Sequence, residues 1–178
     1  MTTRRTLLTT GLLLGGGIAA GTIYIATHAN QPITMNEFSD LPQAMRTLEH
    51  LREVPLQTHE GWDLAKVLLH AAQSVAYSLD GFPSPKPAWF QATLGAAAFA
   101  VFSARGKMSH GLAEPIPGAP AIAAGQPLVL AVDHLLETLR RFEQHEGALA
   151  PHFAYGKLSK ADYTRAHLMH LANHWDLV

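Results

Sequence analysis

Cysteine is absent from all 178 residues. That removes disulfides, thiolate metal ligands and thiol nucleophiles together. Charge is sparse as well: 13 basic and 14 acidic side chains make up 15% of the chain, with a formal net charge of −1. Such a balance offers no cationic face to nucleic acid or to an anionic membrane surface. Alternating strand patterns and internal repeats are also missing, which leaves helices as the building blocks. What is present in surplus is histidine, with eleven copies.

The first absence of charge is local. After Arg4 and Arg5 no charged side chain occurs until Glu37, and residues 7–26 read LLTTGLLLGGGIAAGTIYIA. A basic start followed by an apolar run is the pattern of an export signal. Adjacent arginines and a glycine-diluted apolar region favour the twin-arginine type. Ala29, with Thr27 two residues before it, offers a cleavage point, so residues 1–29 form the leader and 30–37 a linker. The alternative is a retained anchor in the inner membrane, since the run approaches the ~20 residues needed to span a bilayer. Gly15, Gly16 and Gly17 make a poor spanning helix. Either way the expected location is periplasmic or otherwise exported, with the twin-arginine machinery as a partner and no membrane contact beyond the leader.

Residues 38–178 read as one all-α domain. Asp40 can cap a first helix with Pro42 in its first turn, and Pro55 would end it. A second helix is expected over about 62–79, ending before the Pro83, Pro85, Pro87 cluster. A third, over about 88–105, is apolar on every side and is therefore expected to be deeply buried. Pro127 opens a fourth that runs to about 145, with Leu128, Ala131, Val132, Leu135, Leu139 and Phe142 inward. Ser159 opens a fifth, with Asp162 three residues on as a short-armed capping box. Between the third and fourth lies 106–126, GKMSHGLAEPIPGAPAIAAGQ, too rich in Pro and Gly for a helix. Loops of this length in compact domains are usually functional or disordered. Its Met108, Leu112, Ile116 and Ile122 argue that it packs onto the domain, as a crossover or as a lid.

The last helix carries His167, His170 and His174. At about 100° per residue all three fall within roughly 60° of one another. His170 and His174 form an i,i+4 pair, the spacing at which one helical turn offers two nitrogens to a single metal. A third ligand should come from a facing helix. His70 is the best placed, in the apolar middle of the second helix, where an unpartnered imidazole is costly to bury. Gln73 and Ser74, one turn on, would supply hydrogen bonds around it. The alternative for each histidine is a core residue bonded to a backbone carbonyl. His110 and His152 lie in unusual loops as site neighbours, whereas His50, His59, His134 and His145 read as solvated. Tyr155 and Phe153 are expected at the mouth of the site, or else as a hydrophobic staple. Trp62 and Trp89 are expected to anchor the core.

The strings VLLHAAQSVAYSLDGFP and HLANH resemble the DinB/YfiT-like superfamily of four-helix metalloproteins. GKMSHGLAEPIPGAP and PHFAYGKLSKADYTRAHLMHLANH are similar to an uncharacterised branch of it, a domain of unknown function, over residues 35–178. The resemblance implies a DinB-like four-helix bundle with an additional helix and a long crossover loop. It also implies a divalent metal, zinc or nickel, held by His70, His170 and His174 with positions left for water or substrate. His167 is extra to that pattern. Trp175-Asp176 stands where thiol transferases of the superfamily often carry Arg-Gly-Gln, which weakens transfer of their activity.

Three functions follow. The first is a metal-dependent hydrolase or transferase acting on a small molecule, with His167, His152 and Tyr155 as candidates for acid/base work and Glu114 as a further contact. The second is a non-catalytic metal- or ligand-binding module, since no carboxylate base of the HExxH kind is present. The third is a structural bundle whose histidines bond one another. Self-association as a homodimer is compatible with each.

Overall fold

The computed structural model describes residues 31–52 and 62–175. Among these the chain is helical, with no strand and a single isolated bridge between His152 and Gly156. The all-α expectation holds. The leader, the stop at Pro55 and His59 lie outside the described residues. No helix among those described is long and apolar enough to cross a membrane.

Helices α1, α2 and α5 begin where a side chain partners the free N–H groups of the first turn, whereas α3 and α4 start from a proline with no side-chain cap. A single 3-10 turn, Asn36–Phe38, leads into α1, Leu41–His50, where the Asp40 carboxylate accepts from Gln43 N at 2.8 Å. Helix α2, Leu64–Asp80, opens on Asp63, whose carboxylate accepts from Lys66 N at 2.8 Å. Helix α3 joins Ala88–Phe90, a π turn over Gln91–Gly95, and Ala96–Arg105. Helix α4 is Leu128–Gln144, entered from Pro127. Helix α5 is Lys160–Trp175, and its capping box forms as read: Asp162 N donates to Ser159 Oγ at 3.1 Å, and Ser159 N donates to Asp162 Oδ2 at 3.3 Å.

Helices α1, α4, α2 and α5 pack in that order around a ring, each against two neighbours. Phe38, Leu48, Leu68, Val75, Leu135, Leu139, Phe142, Tyr163 and Met169 fill its centre, all essentially inaccessible to water. Each such side chain contributes roughly 1.5–3 kcal/mol of burial free energy, which must hold a chain without disulfides. On α4 the inward set matches the helical spacing: Ala131, Val132, Leu135, Leu139 and Phe142 are buried, and Leu128 is partly buried against the core.

Helix α3 departs from expectation. It is not deeply buried: within it only Gly95, Ser103 and Ala104 are, while Trp89 is 65% and Leu94 59% exposed. Trp89 is therefore not a core anchor. Helix α3 lies outside the ring and rests on the loop before α5, with the Phe99 ring 5.5 Å and the Phe102 ring 6.5 Å from Tyr155. A sequence apolar on every side carries no moment, so it names no face and cannot say that one face will lack a partner.

Two glycines allow close approaches there. A Cβ at Gly95 would fall 1.8 Å from the Ala154 carbonyl oxygen. Gly106, at φ +62 after the last turn of α3, brings its Cα against Pro32, whose carbonyl oxygen a Cβ would meet at 2.0 Å. Both contacts are with backbone, which cannot swing aside. Gly95→Ala is accordingly expected to destabilise the fold by about 1–3 kcal/mol, the usual range for overpacking. Chemical denaturation measures it, and a midpoint unchanged from the parent would show that α3 does not seat on the 148–158 loop.

Candidate metal centre

Helices α2 and α5 are ring neighbours, and their seam brings His70 against the i,i+4 pair of the last helix. One ligating atom from each of His70, His170 and His174 lies within 4.8 Å of the others. The His170 and His174 Nε2 atoms are 3.1 Å apart. Two nitrogens bound tetrahedrally at ~2.0–2.1 Å from one zinc would stand roughly 3.3 Å apart, so the pair already has the required bite. Trp62 packs edge-on to His70, with ring centroids 5.2 Å apart.

Hydrogen bonding among these rings does not account for their burial. His70 Nδ1 and His174 Nδ1 are buried with no partner among the described residues. Each unsatisfied nitrogen costs on the order of 1–3 kcal/mol, and native proteins rarely tolerate two side by side without an ion or water. Burial, and then the charge of neighbouring imidazoles, pushes His70 down to about 4 and His174 to about 3, with His170 also well below its ordinary value. All three are therefore neutral at pH 7, the state in which an imidazole binds metal.

His70 and His170 open onto a cavity of ≈ 270 Å³. Its far wall is the loop before α5, with His152, Phe153 and Tyr155, and its cover is the 106–126 segment through Met108, His110, Glu114 and Ile116. Phe153 and Tyr155 thus line the site as read. Ser74 lines it too, whereas Gln73 turns away and donates to Pro120 O at 3.1 Å, tying the covering loop to α2.

His152 has its tautomer set by backbone. Its Nδ1 accepts from Ala154 N and Tyr155 N, both at 3.1 Å, so the proton sits on Nε2. Tyr155 stacks on the same ring, with centroids 4.2 Å apart and planes 6° from parallel. Its phenol is pushed up to about 12 by burial and stays protonated. His167 stands apart from the trio, one turn down α5. The Ser78 hydroxyl donates to Val75 O at 2.6 Å and so accepts from His167 Nε2 at 3.3 Å, which leaves the lone pair on Nδ1. The ring lies between Phe142 and Tyr163 and still lines the cavity.

The residues matched by the family described as "Protein of unknown function (DUF1569)" are 31–178. The chain belongs to that family. No curated protein and no solved structure matches it. The loops that line the cavity and all three histidines of the centre fall within the stretch shared with DUF1569.

Sequence reasoning left one neighbour of the trio unplaced. His110, read only as a site neighbour, has its ring 4.9 Å from that of His170 and 5.2 Å from that of His174. Spacing could not find it, because a loop has no period. Of the histidines read as solvated, His50 and His134 are exposed, whereas His145 is half-buried at the end of α4.

Burial pushes His152 and His167 down to about 3, His152 also through the charge of His167. Their folded values lie below the unfolded ~6.5, so the unfolded chain holds more protons between the two. The stability they contribute is complete above pH ~6.5 and is lost as pH falls toward 3, at roughly 1.4 kcal/mol per pH unit for each. Metal-free protein is expected to melt progressively lower from pH 6.5 to 4.5, and His167→Phe to flatten that slope. Parallel slopes for the two proteins would show that His167 is not held neutral.

Proposed function

We propose that this chain is an exported, divalent-metal-binding protein of the DinB/YfiT-like superfamily. It serves as a metal-dependent hydrolase or transferase for a small molecule, with zinc or nickel as the ion. The observation that carries this reading is the three ligating nitrogens within 4.8 Å of one another, two of the rings facing a ≈ 270 Å³ cavity. A purely structural metal site is closed on all sides, whereas a catalytic one keeps a position facing substrate. The cavity is somewhat smaller than the ~300–1,000 Å³ of drug-sized ligand sites, which suits a compact substrate. Superfamily kinship is supported by the meeting of a central-helix histidine with the His-x-x-x-His pair of the last helix.

A divalent ion held there would polarise a carbonyl or phosphoryl oxygen and ease loss of a proton from water. The chain's own groups supply the rest. His152 presents a fixed N–H donor at Nε2, suited to an oxygen that gains negative charge during the reaction. His167 offers a neutral lone pair at Nδ1 as a hydrogen-bond acceptor for substrate, its other nitrogen anchored on Ser78. Tyr155 keeps its phenolic proton and lines the same wall, a second donor for substrate. Met108, Ile116 and Phe153 shield these groups from bulk water.

Metal analysis tests the reading. Purified protein is expected to carry one zinc or nickel per chain, and His170→Ala to carry none. Removing the metal with a chelator should lower the melting temperature. Restoring it at about a hundredfold over its Kd should return about 2.7 kcal/mol. Protein that binds no metal stoichiometrically, with a melting point indifferent to chelator, would sink the proposal.

Export is supported by the Arg4-Arg5 pair and the uncharged stretch reaching Glu37. Recognition by the twin-arginine machinery requires the arginines themselves, so Arg4→Lys with Arg5→Lys is expected to hold the chain in the cytoplasm on cell fractionation. Undiminished export of that variant would assign the leader to the general secretory route.

A further inference from the structure

We propose that His110 is a fourth metal ligand, carried to the trio by the covering loop and closing the coordination sphere when no substrate is bound. This rests on the metal reading above and adds a residue outside the two helices that define it. Three observations carry it. The His110 ring stands 4.9 Å from His170 and 5.2 Å from His174, the same range as the 5.0 and 5.4 Å that separate His70 from those two rings. Its Nδ1–H donates to Gly111 O at 2.9 Å, which places the lone pair on Nε2. A carbonyl bonded to one nitrogen is the device that sets a histidine's tautomer and raises the basicity of the other for a metal. Finally, His110 lies on an arch whose feet are pinned. Met108 and Ile116 are buried on either side of it, while no residue between them is.

The trio's ligating atoms form a compact group, and His110 approaches it from the loop. Four imidazoles complete a tetrahedral sphere for zinc. A substrate oxygen entering the cavity therefore competes with His110 for the ion. Loop and ligand leave together, so opening of the arch and exposure of a reactive coordination position become one event. A single side chain thus keeps the resting site inert toward adventitious anions.

Cobalt(II) loaded into the full chain tests this, with affinity read by chelator competition and coordination by the visible d–d spectrum. Wild type is expected to show the intense bands of a four-coordinate site. His110→Gly should still bind one cobalt per chain, at least about tenfold more weakly, the minimum cost of disturbing a metal site's partners. Its bands should weaken as solvent adds to the ion, added imidazole should restore them, and azide should bind it more tightly than wild type. His170→Ala should bind none. Equal melting temperatures of the metal-free proteins check that the exposed arch tolerates the change. If His110→Gly matches wild type in affinity and spectrum while His170→Ala loses cobalt, the fourth ligand is refuted and the trio stands. If wild type itself binds no cobalt, the metal reading fails and this inference falls with it.

Discussion

Burying imidazoles side by side at the seam of α2 and α5 is the constraint on which the rest of the structure depends. His70 and His174 are each less than 5% exposed, and one nitrogen of each has no partner among the described residues. A bundle with no disulfide has only packing to set against that penalty. The surrounding core is accordingly dense: Leu68 and Val75 lie on either side of His70 along α2, and Met169 and Leu171 flank His170 on α5. An ion between the rings would turn the penalty into binding free energy, because neutral, desolvated imidazoles are already in the ligand state.

The helices provide rows of fixed side chains, and the loops provide chemistry. Both irregular segments, 106–126 and the stretch before α5, converge on the same cavity from opposite sides. Each is held by specific bonds. Asp63, while capping α2, also accepts from Gly125 N at 3.0 Å, so one carboxylate fixes a helix start and the end of the covering loop. Lys86 N donates to Phe153 O at 2.8 Å, and the Gln91 amide reaches the same carbonyl, coupling α3 to the wall that carries His152. Arg165 bonds both Gln31 O and Ser103 O, drawing the entry of the chain against the end of α3. Connections of this kind explain why irregular backbone can present reactive groups in reproducible positions.

Histidine serves three separate purposes within one short chain. In the trio it is a neutral set of nitrogens that could hold a metal. At His152 two backbone N–H groups dictate the tautomer and leave a donor, and at His167 a serine hydroxyl does the converse and leaves an acceptor. The same side chain yields opposite proton roles because its two nitrogens are distinguished by what each one touches.

Much was legible in the sequence. Helix starts at Asp40 and Ser159 follow from short polar side chains that can reach the free N–H groups of a first turn, an interaction confined to neighbours. The inward face of α4 and the pairing of His170 with His174 follow from the 3.6-residue period, again a local rule. His70 was legible because a histidine in an apolar stretch needs a partner. The exposure of α3 was not, since its residues are alike on every side and only the position of its neighbours decides which face is covered. Nor was the place of His110, or the tautomers of His152 and His167, because these depend on contacts between segments far apart in the chain. The elements and the candidate residues follow from local spacing; which candidates meet is set by how the helices and loops pack, and no spacing along the chain encodes that.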